Sequence, residues 1–122
     1  MDSVSSPVRL VSPHLIIRDM EREDLERIQT WRPFSDPLYN LWNLPRSTSL
    51  SRDLWFLVHG SDPRRLWFVI ERQSDHQVIG TLSLREIVRR ISARLGIGLG
   101  ADFVDQGYGS EALRFFLAYY FR

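Results

Sequence analysis

The chain has 122 residues, with 16 arginines plus lysines against 15 aspartates plus glutamates and a formal net charge of +1 when its three histidines are neutral. At 43% hydrophobic and 25% charged it sits in the ordinary globular range, which excludes disordered, collagen-like and polyanion-coating chains. Its lack of cysteine excludes disulfides and thiolate metal sites, and a chain of this length is expected to form one domain.

The opening Met1-Asp2-Ser3-Val4-Ser5-Ser6-Pro7 carries an acid and no apolar run, so it does not read as a secretory signal. No segment approaches the ~20 apolar residues that span a bilayer. A reducing, cytoplasmic setting is expected, with no membrane partner. Every basic residue is arginine. The one local cluster, Arg85, Arg89, Arg90 and Arg94, is too short for a nucleic-acid stripe and reads as a solvated hairpin tip.

Residues 1–13 form a polar lead expected to be flexible, and the domain is expected to cover 14–122. Leu15-Ile16-Ile17 reads as a strand ending at Arg18-Asp19. Glu21, Glu23 and Asp24 then load acid into a first helical turn, and Leu25, Ile28 and Trp31 recur at helical spacing until Arg32-Pro33 stops the helix. A packed irregular stretch with prolines at 33, 37 and 45 follows. Serines 47, 49 and 51 offer caps for a second helix marked by Leu50, Leu54, Trp55, Leu57 and Val58, which Gly60 ends.

Leu66-Trp67-Phe68-Val69-Ile70 is apolar at every position and predicts a central strand covered on both faces. A hairpin through Gln73-Ser74-Asp75-His76 leads to a second strand with Leu82 and Leu84 on one side and Thr81, Ser83 and Arg85 on the other. In a third, Ala93, Leu95, Ile97 and Leu99 alternate with Arg94, Gly96, Gly98 and Gly100, a glycine face that invites close approach. The last segment, from Gly107 to Arg122, is helical and apolar nearly all round, so it is expected to be covered by a missing C-terminal half or by another chain.

Chemistry concentrates between that third strand and the last helix. Gly107 and Gly109 let backbone N–H groups converge at a helix N-terminus, where the positive end of the macrodipole suits a phosphate or pyrophosphate. Gly107, Gly109 and Ala112 also fit the Gly-x-Gly-x-x-Ala dinucleotide spacing. That reading fails, because it requires a βαβ unit and the preceding strands form an antiparallel meander. His14, His59 and His76 have no metal-ligand spacing, and there is no Gly-x-Ser-x-Gly elbow.

The strand, the helix ending in Trp31, the second helix and the meander with Val78-Ile79-Gly80 occur in the order found in one known family. With Asp105-Gln106-Gly107-Tyr108-Gly109-Ser110-Glu111-Ala112-Leu113 after them, the chain resembles the GNAT superfamily of acyl-CoA-dependent N-acetyltransferases. The Rim-type branch, which includes ribosomal-protein N-terminal acetyltransferases, is the nearest pattern. The resemblance runs from His14 to the end. It implies an α/β (α+β) fold with a mixed, mostly antiparallel sheet and flanking helices, lacking the C-terminal strand, helix and hairpin of the family.

It also implies acetyl-CoA as cosubstrate, with no metal. The pyrophosphate would lie on the backbones of Gln106, Gly107, Tyr108, Gly109 and Ser110, and the pantetheine would pair with Ile97 and Leu99. Val104 stands where the family has an Arg or Gln bracing the loop. The missing half normally supplies the other cleft wall and often the tyrosine that protonates the departing thiolate.

The implied reaction moves acetyl from acetyl-CoA to a primary amine, on a protein N-terminus or a small molecule, by direct attack. The alternative is a non-catalytic acyl-CoA-binding or assembly module that pairs with a second copy or a C-terminal half through the last helix. No base or acid is assigned. Glu86 is a candidate base and Asp19 or Glu21 a lining of the amine pocket, against the plainer reading of exposed carboxylates. Tyr108 reads as loop packing.

Overall fold

A computed structural model describes residues 9–31, 48–59, 66–88 and 92–120. In chain order the elements are β1 (Arg9–Val11), β2 (Leu15–Asp19), α1 (Asp24–Gln29), α2 (Ser49–His59), β3 (Leu66–Arg72), β4 (Val78–Val88), β5 (Ser92–Leu99), a 3-10 turn (Ala101–Phe103) and α3 (Tyr108–Tyr120). The strands form one sheet in the order β1-β2-β3-β4-β5. All four pairings are antiparallel.

The continuously apolar β3 is the middle strand, and its Phe68, Val69 and Ile70 are fully buried because both faces of the sheet are covered there. On one face Leu15, Ile17, Phe68, Ile70, Leu82 and Leu84 pack with Ala112 and Phe116 of α3. Phe116 and Tyr120 each meet Phe68 edge-on, at 5.2 and 6.0 Å between ring centroids. The other face is smaller: Val69 and Val78 pack with Ile28 of α1, and Trp55 of α2 meets Trp67 edge-on at 5.1 Å.

Three expectations change. The lead read as flexible to residue 13 contains β1, whose Arg9, Leu10 and Val11 pair with Arg18, Ile17 and Ile16; three residues are too few for a period to register. The first helix is shorter than its apolar spacing suggested, ending at Gln29 with Thr30 as cap. Trp31 leaves it to send its indole Nε1–H to the Val78 carbonyl at 2.9 Å. At the second helix the cap is Thr48, whose hydroxyl accepts from Ser51 N–H at 3.1 Å. The stretch at 33–46, the Gly60 stop, the turn at Arg89-Arg90 and Phe121 lie outside the described residues.

On the last helix Ala112 and Phe116 are buried, while Leu117 and Tyr119 are exposed. Phe115 is half-buried beneath the Arg114 guanidinium.

Candidate cofactor and acceptor site

The turn between β5 and α3 is built to present backbone donors. Gly100 N–H bonds to the Ile79 carbonyl at 2.9 Å and ends the ladder. A Cβ at Gly100 would stand 3.0 Å from both Trp31 and Phe103, so the close packing of those rings favours glycine. Asp105 and Gly107 then take positive φ values of 60° and 84°. At Gly107 nothing lies within 4 Å of a built Cβ, so it is the backbone conformation that favours glycine there. Gln106 is exposed and its side-chain amide donates to the Asp102 carbonyl at 2.9 Å, bracing a loop in which Val104 has no polar group.

The first bond of α3 runs from Glu111 N–H to the Gly107 carbonyl at 3.1 Å. The N–H groups of Tyr108, Gly109 and Ser110 precede it and have no carbonyl within the helix to meet. They gather at the positive end of a 13-residue helix. Ser110 is exposed, and a Cβ at Gly109 would touch Leu99 at an ordinary 3.5 Å, which places the helix start against the end of β5. Tyr108 is half-buried against the main core with the Arg72 guanidinium 5.9 Å from its ring, in keeping with a packing role.

Along β5, the bond from Gly100 to Ile79 sets the phase of the ladder. Gly98 and Gly96 turn their peptide groups toward β4, and Leu99, Ile97 and Leu95 turn theirs away from it. Among the described residues no strand pairs with that outer edge. The side chains of Ile97 and Leu99 pack inward on the core. Both predicted strand residues therefore offer main-chain groups at a free edge that leads from the start of α3.

A buried carboxylate missed by sequence reasoning fixes this corner. Glu111, in the first turn of α3, accepts from Ser12 Oγ, from His14 N–H at 2.9 Å and from His14 Nδ1 at 2.8 Å. Burial raises its pKa, but the bonds from Ser12 and His14 outweigh that and hold the carboxyl below its usual range. The only sequence signal was an acid at the start of a helix, which also suits the macrodipole with no partner at all.

Asp24 is a second such group. Fully buried, it accepts from Arg18 at 2.8 and 2.9 Å, from Arg27 at 2.7 Å and from Glu21 N–H at 2.7 Å. Burial raises its pKa, yet the Arg18 pair, the Glu21 amide and Arg27 together keep it low.

The candidate acceptor carboxylates are not brought together with the turn. Asp19 pairs with Phe68, in a row that continues through Leu82 to Ile97, which puts it three strands from β5, roughly 14 Å at the usual strand spacing. Glu21 is exposed and 3.5 Å from Arg18. Glu86 lies on β4, and its side chain is outside the described set. Among the described residues no three His, Asp or Glu side chains gather to hold a metal ion.

Against known proteins, the acetyltransferase (GNAT) domain family model matches residues 14–122. Among solved structures, a putative ribosomal-protein-serine acetyltransferase from Vibrio cholerae superposes with a TM-score of 0.74 at 16% identity, covering 93% of this chain and 67% of that one. A spermidine N-acetyltransferase from Vibrio cholerae, solved with CoA and spermine, gives 0.71 at 22% identity, covering 90% and 65%. A GNAT-family acetyltransferase from Bacillus anthracis gives 0.69 at 17% identity, covering 92% and 65%. The chain thus spans about two thirds of the length of these proteins. No curated protein sequence matches it.

Proposed function

The chain belongs to the GNAT acetyltransferase family, and on that premise we propose that it forms the acetyl-CoA-holding part of an N-acetyltransferase acting on a primary amine. The observation that carries this reading is the junction of two sets of backbone groups that have no strand or helix partner among the described residues. Three N–H groups open α3 at its positive end, and the outward peptide groups of Leu99, Ile97 and Leu95 begin beside them. The first set suits a pyrophosphate and the second an amide-bearing extended arm, so the residues present fit this cosubstrate.

When bound, acetyl-CoA supplies a thioester carbonyl open to direct attack by a neutral amine. Gln106, Gly107, Tyr108, Gly109 and Ser110 contribute main-chain donors, Gln106 also braces the loop, and Ile97 and Leu99 orient the arm through their backbones. Glu111 is a positioning residue that pins the helix start to the β1–β2 corner. A cytoplasmic setting is part of the proposal; among the described residues no helix is long and apolar enough to cross a membrane.

The test is calorimetry with CoA on the parent chain and on Gly109→Asp. Position 109 has room for a Cβ, so the variant is expected to fold while placing a carboxylate where phosphate must approach. Loss of CoA binding by the folded variant is the expected result, and unchanged affinity refutes the assignment.

The exposed Leu117 and Tyr119 on α3 favour a second reading, an assembly module that binds acyl-CoA and pairs with another chain through this helix. Sedimentation decides it: a monomer at high micromolar concentration rules that pairing out as self-association.

A further inference from the structure

The second helix turns its apolar side away from the body of the domain. Leu50, Leu54 and Val58 of α2 stand one above another at i, i+4 and i+8, and they are 68%, 54% and 63% exposed. Leu57, beside them, is exposed as well. The side of α2 that meets the rest of the chain instead carries Arg52, Trp55 and the half-buried Phe56.

That orientation is fastened at several points. Arg52 Nε lies 2.6 Å from Glu26 of α1. Arg22, just before α1, reaches Asp53 at 2.5 Å and the Ser49 carbonyl at 3.2 Å while also holding Glu26 at 2.7 Å. Linked charges of this kind hold a geometry that an isolated surface ion pair does not. Trp55 adds its edge-on contact with Trp67 of β3. Turning α2 about its axis to bury the leucines would break these contacts together. The fold therefore holds a row of large apolar side chains toward solvent, which marks an interaction surface.

The row also indicates what it fits. It carries no charge, and Asp53 at its margin is already held by Arg22, so a partner chosen by opposite charge finds nothing to read there. It is symmetric about Leu54, with Leu50 four residues before and Val58 four residues after. Rows of i±4 spacing interdigitate with those of an identical helix at a crossing of about −50°. A two-fold axis through Leu54 sets Leu54 of one copy on Leu54 of the other, and each Leu50 beside the other copy's Val58. We propose that α2 is a self-association surface whose occupant is α2 of a second copy of this chain. The row is only ~12 Å long, so the contact falls short of the ~800 Å² per partner of a standard interface and the dimer is a weak one. Because α2 packs on the sheet face opposite α3, the pairing leaves the start of α3 clear. The inference is independent of the acetyl-CoA reading and distinct from pairing through Leu117 and Tyr119.

The chain has no cysteine, so single-thiol variants of the full chain report directly on which face meets its copy. A disulfide needs Cβ atoms about 3.5–4.5 Å apart, a separation that a residue on the two-fold axis can reach. Under mild oxidation at high micromolar concentration, Leu54→Cys is expected to form covalent dimer at least tenfold faster than Leu117→Cys. Sedimentation equilibrium of the parent is expected to show reversible dimer. Leu54→Glu, at an exposed position where the far-UV circular dichroism should be unchanged, is expected to raise the dimer dissociation constant at least tenfold. A parent that stays monomeric at high micromolar concentration, cross-linking at 117 as fast as at 54, or a dimer that survives Leu54→Glu overturns the inference. If Leu54→Glu fails to fold, the relative cross-linking rates at 54 and 117 still decide it.

Discussion

Replacing Glu111 by alanine tests how the start of α3 is held. The carboxylate binds Ser12 Oγ, His14 N–H and His14 Nδ1, and Ser12 is itself only 5% exposed, so its hydroxyl cannot turn to water when the carboxylate is gone. Hydrogen bonds to a charged group contribute about 1.5–3 kcal/mol each. The His14 ring is 70% exposed and recovers its bond from solvent, so two bonds remain to be lost. An acid in the first helical turn adds about 0.3–1 kcal/mol through the macrodipole.

The expected loss is therefore about 3–7 kcal/mol at neutral pH. In urea unfolding followed by tryptophan fluorescence, with a slope of about 2 kcal/mol per molar, the midpoint falls by about 2–3 M. The folded-state pKa of Glu111 is depressed, so its contribution is fully present above the unfolded-state value and disappears as pH falls through the folded one. The gap between parent and variant must close on acidification. A loss below about 1 kcal/mol at pH 7, or a gap as wide at pH 3 as at pH 7, refutes the pin.

Phe116→Ala is expected to cost about 3–5 kcal/mol, read by the same unfolding assay, because Phe116 is fully buried where α3 crosses β3. Gly107→Ala loses about 1–2 kcal/mol to its positive φ. Gly109→Ala has room for its methyl, and its urea midpoint is expected to match or exceed the parent's while CoA affinity falls in calorimetry. Asp24→Asn leaves Arg18 with only part of its carboxylate partners and is expected to cost about 3 kcal/mol in thermal or urea unfolding. Because the Asp24 pKa is held low, that difference also fades as pH falls through the folded value.

What the residues revealed in advance was whatever repeats. β3, β4, β5 and α3 each carry enough turns or alternations for a period to emerge, and the glycine turn between β5 and α3 follows from residue type and spacing. Single-residue partnerships were not legible. Asp24 and Glu111 look like ordinary helix-opening acids, and only the approach of Arg18 and of the Ser12–His14 corner, 6 and 97–99 residues away in sequence, turns them into buried anchors. Arg85 and Arg94 read as a solvated hairpin tip because register is what sets them face to face. Trp31 looked like the last residue of an apolar helical stripe, and the Val78 carbonyl and Gly100 claim it instead.

Ile70 of β3 pairs with Gly80, and Glu71 pairs with Val78, which leaves Ile79 as one extra residue in β4. Val78 packs with the α1-side cluster, whereas Ile79 joins the core beneath α3. Opposite Ile70 and Glu71, β4 therefore uses three residues where β3 uses two. If Ile79 were deleted, Val78 and Gly80 would become neighbours facing Glu71 and Ile70, so Leu82 and Leu84 would keep the α3 side and Ser83 and Arg85 the other. A one-residue deletion at this point would remove an apolar side chain from the layer beneath α3 and leave the pairing of β4 with β5, and hence the outward peptide groups of β5, in place.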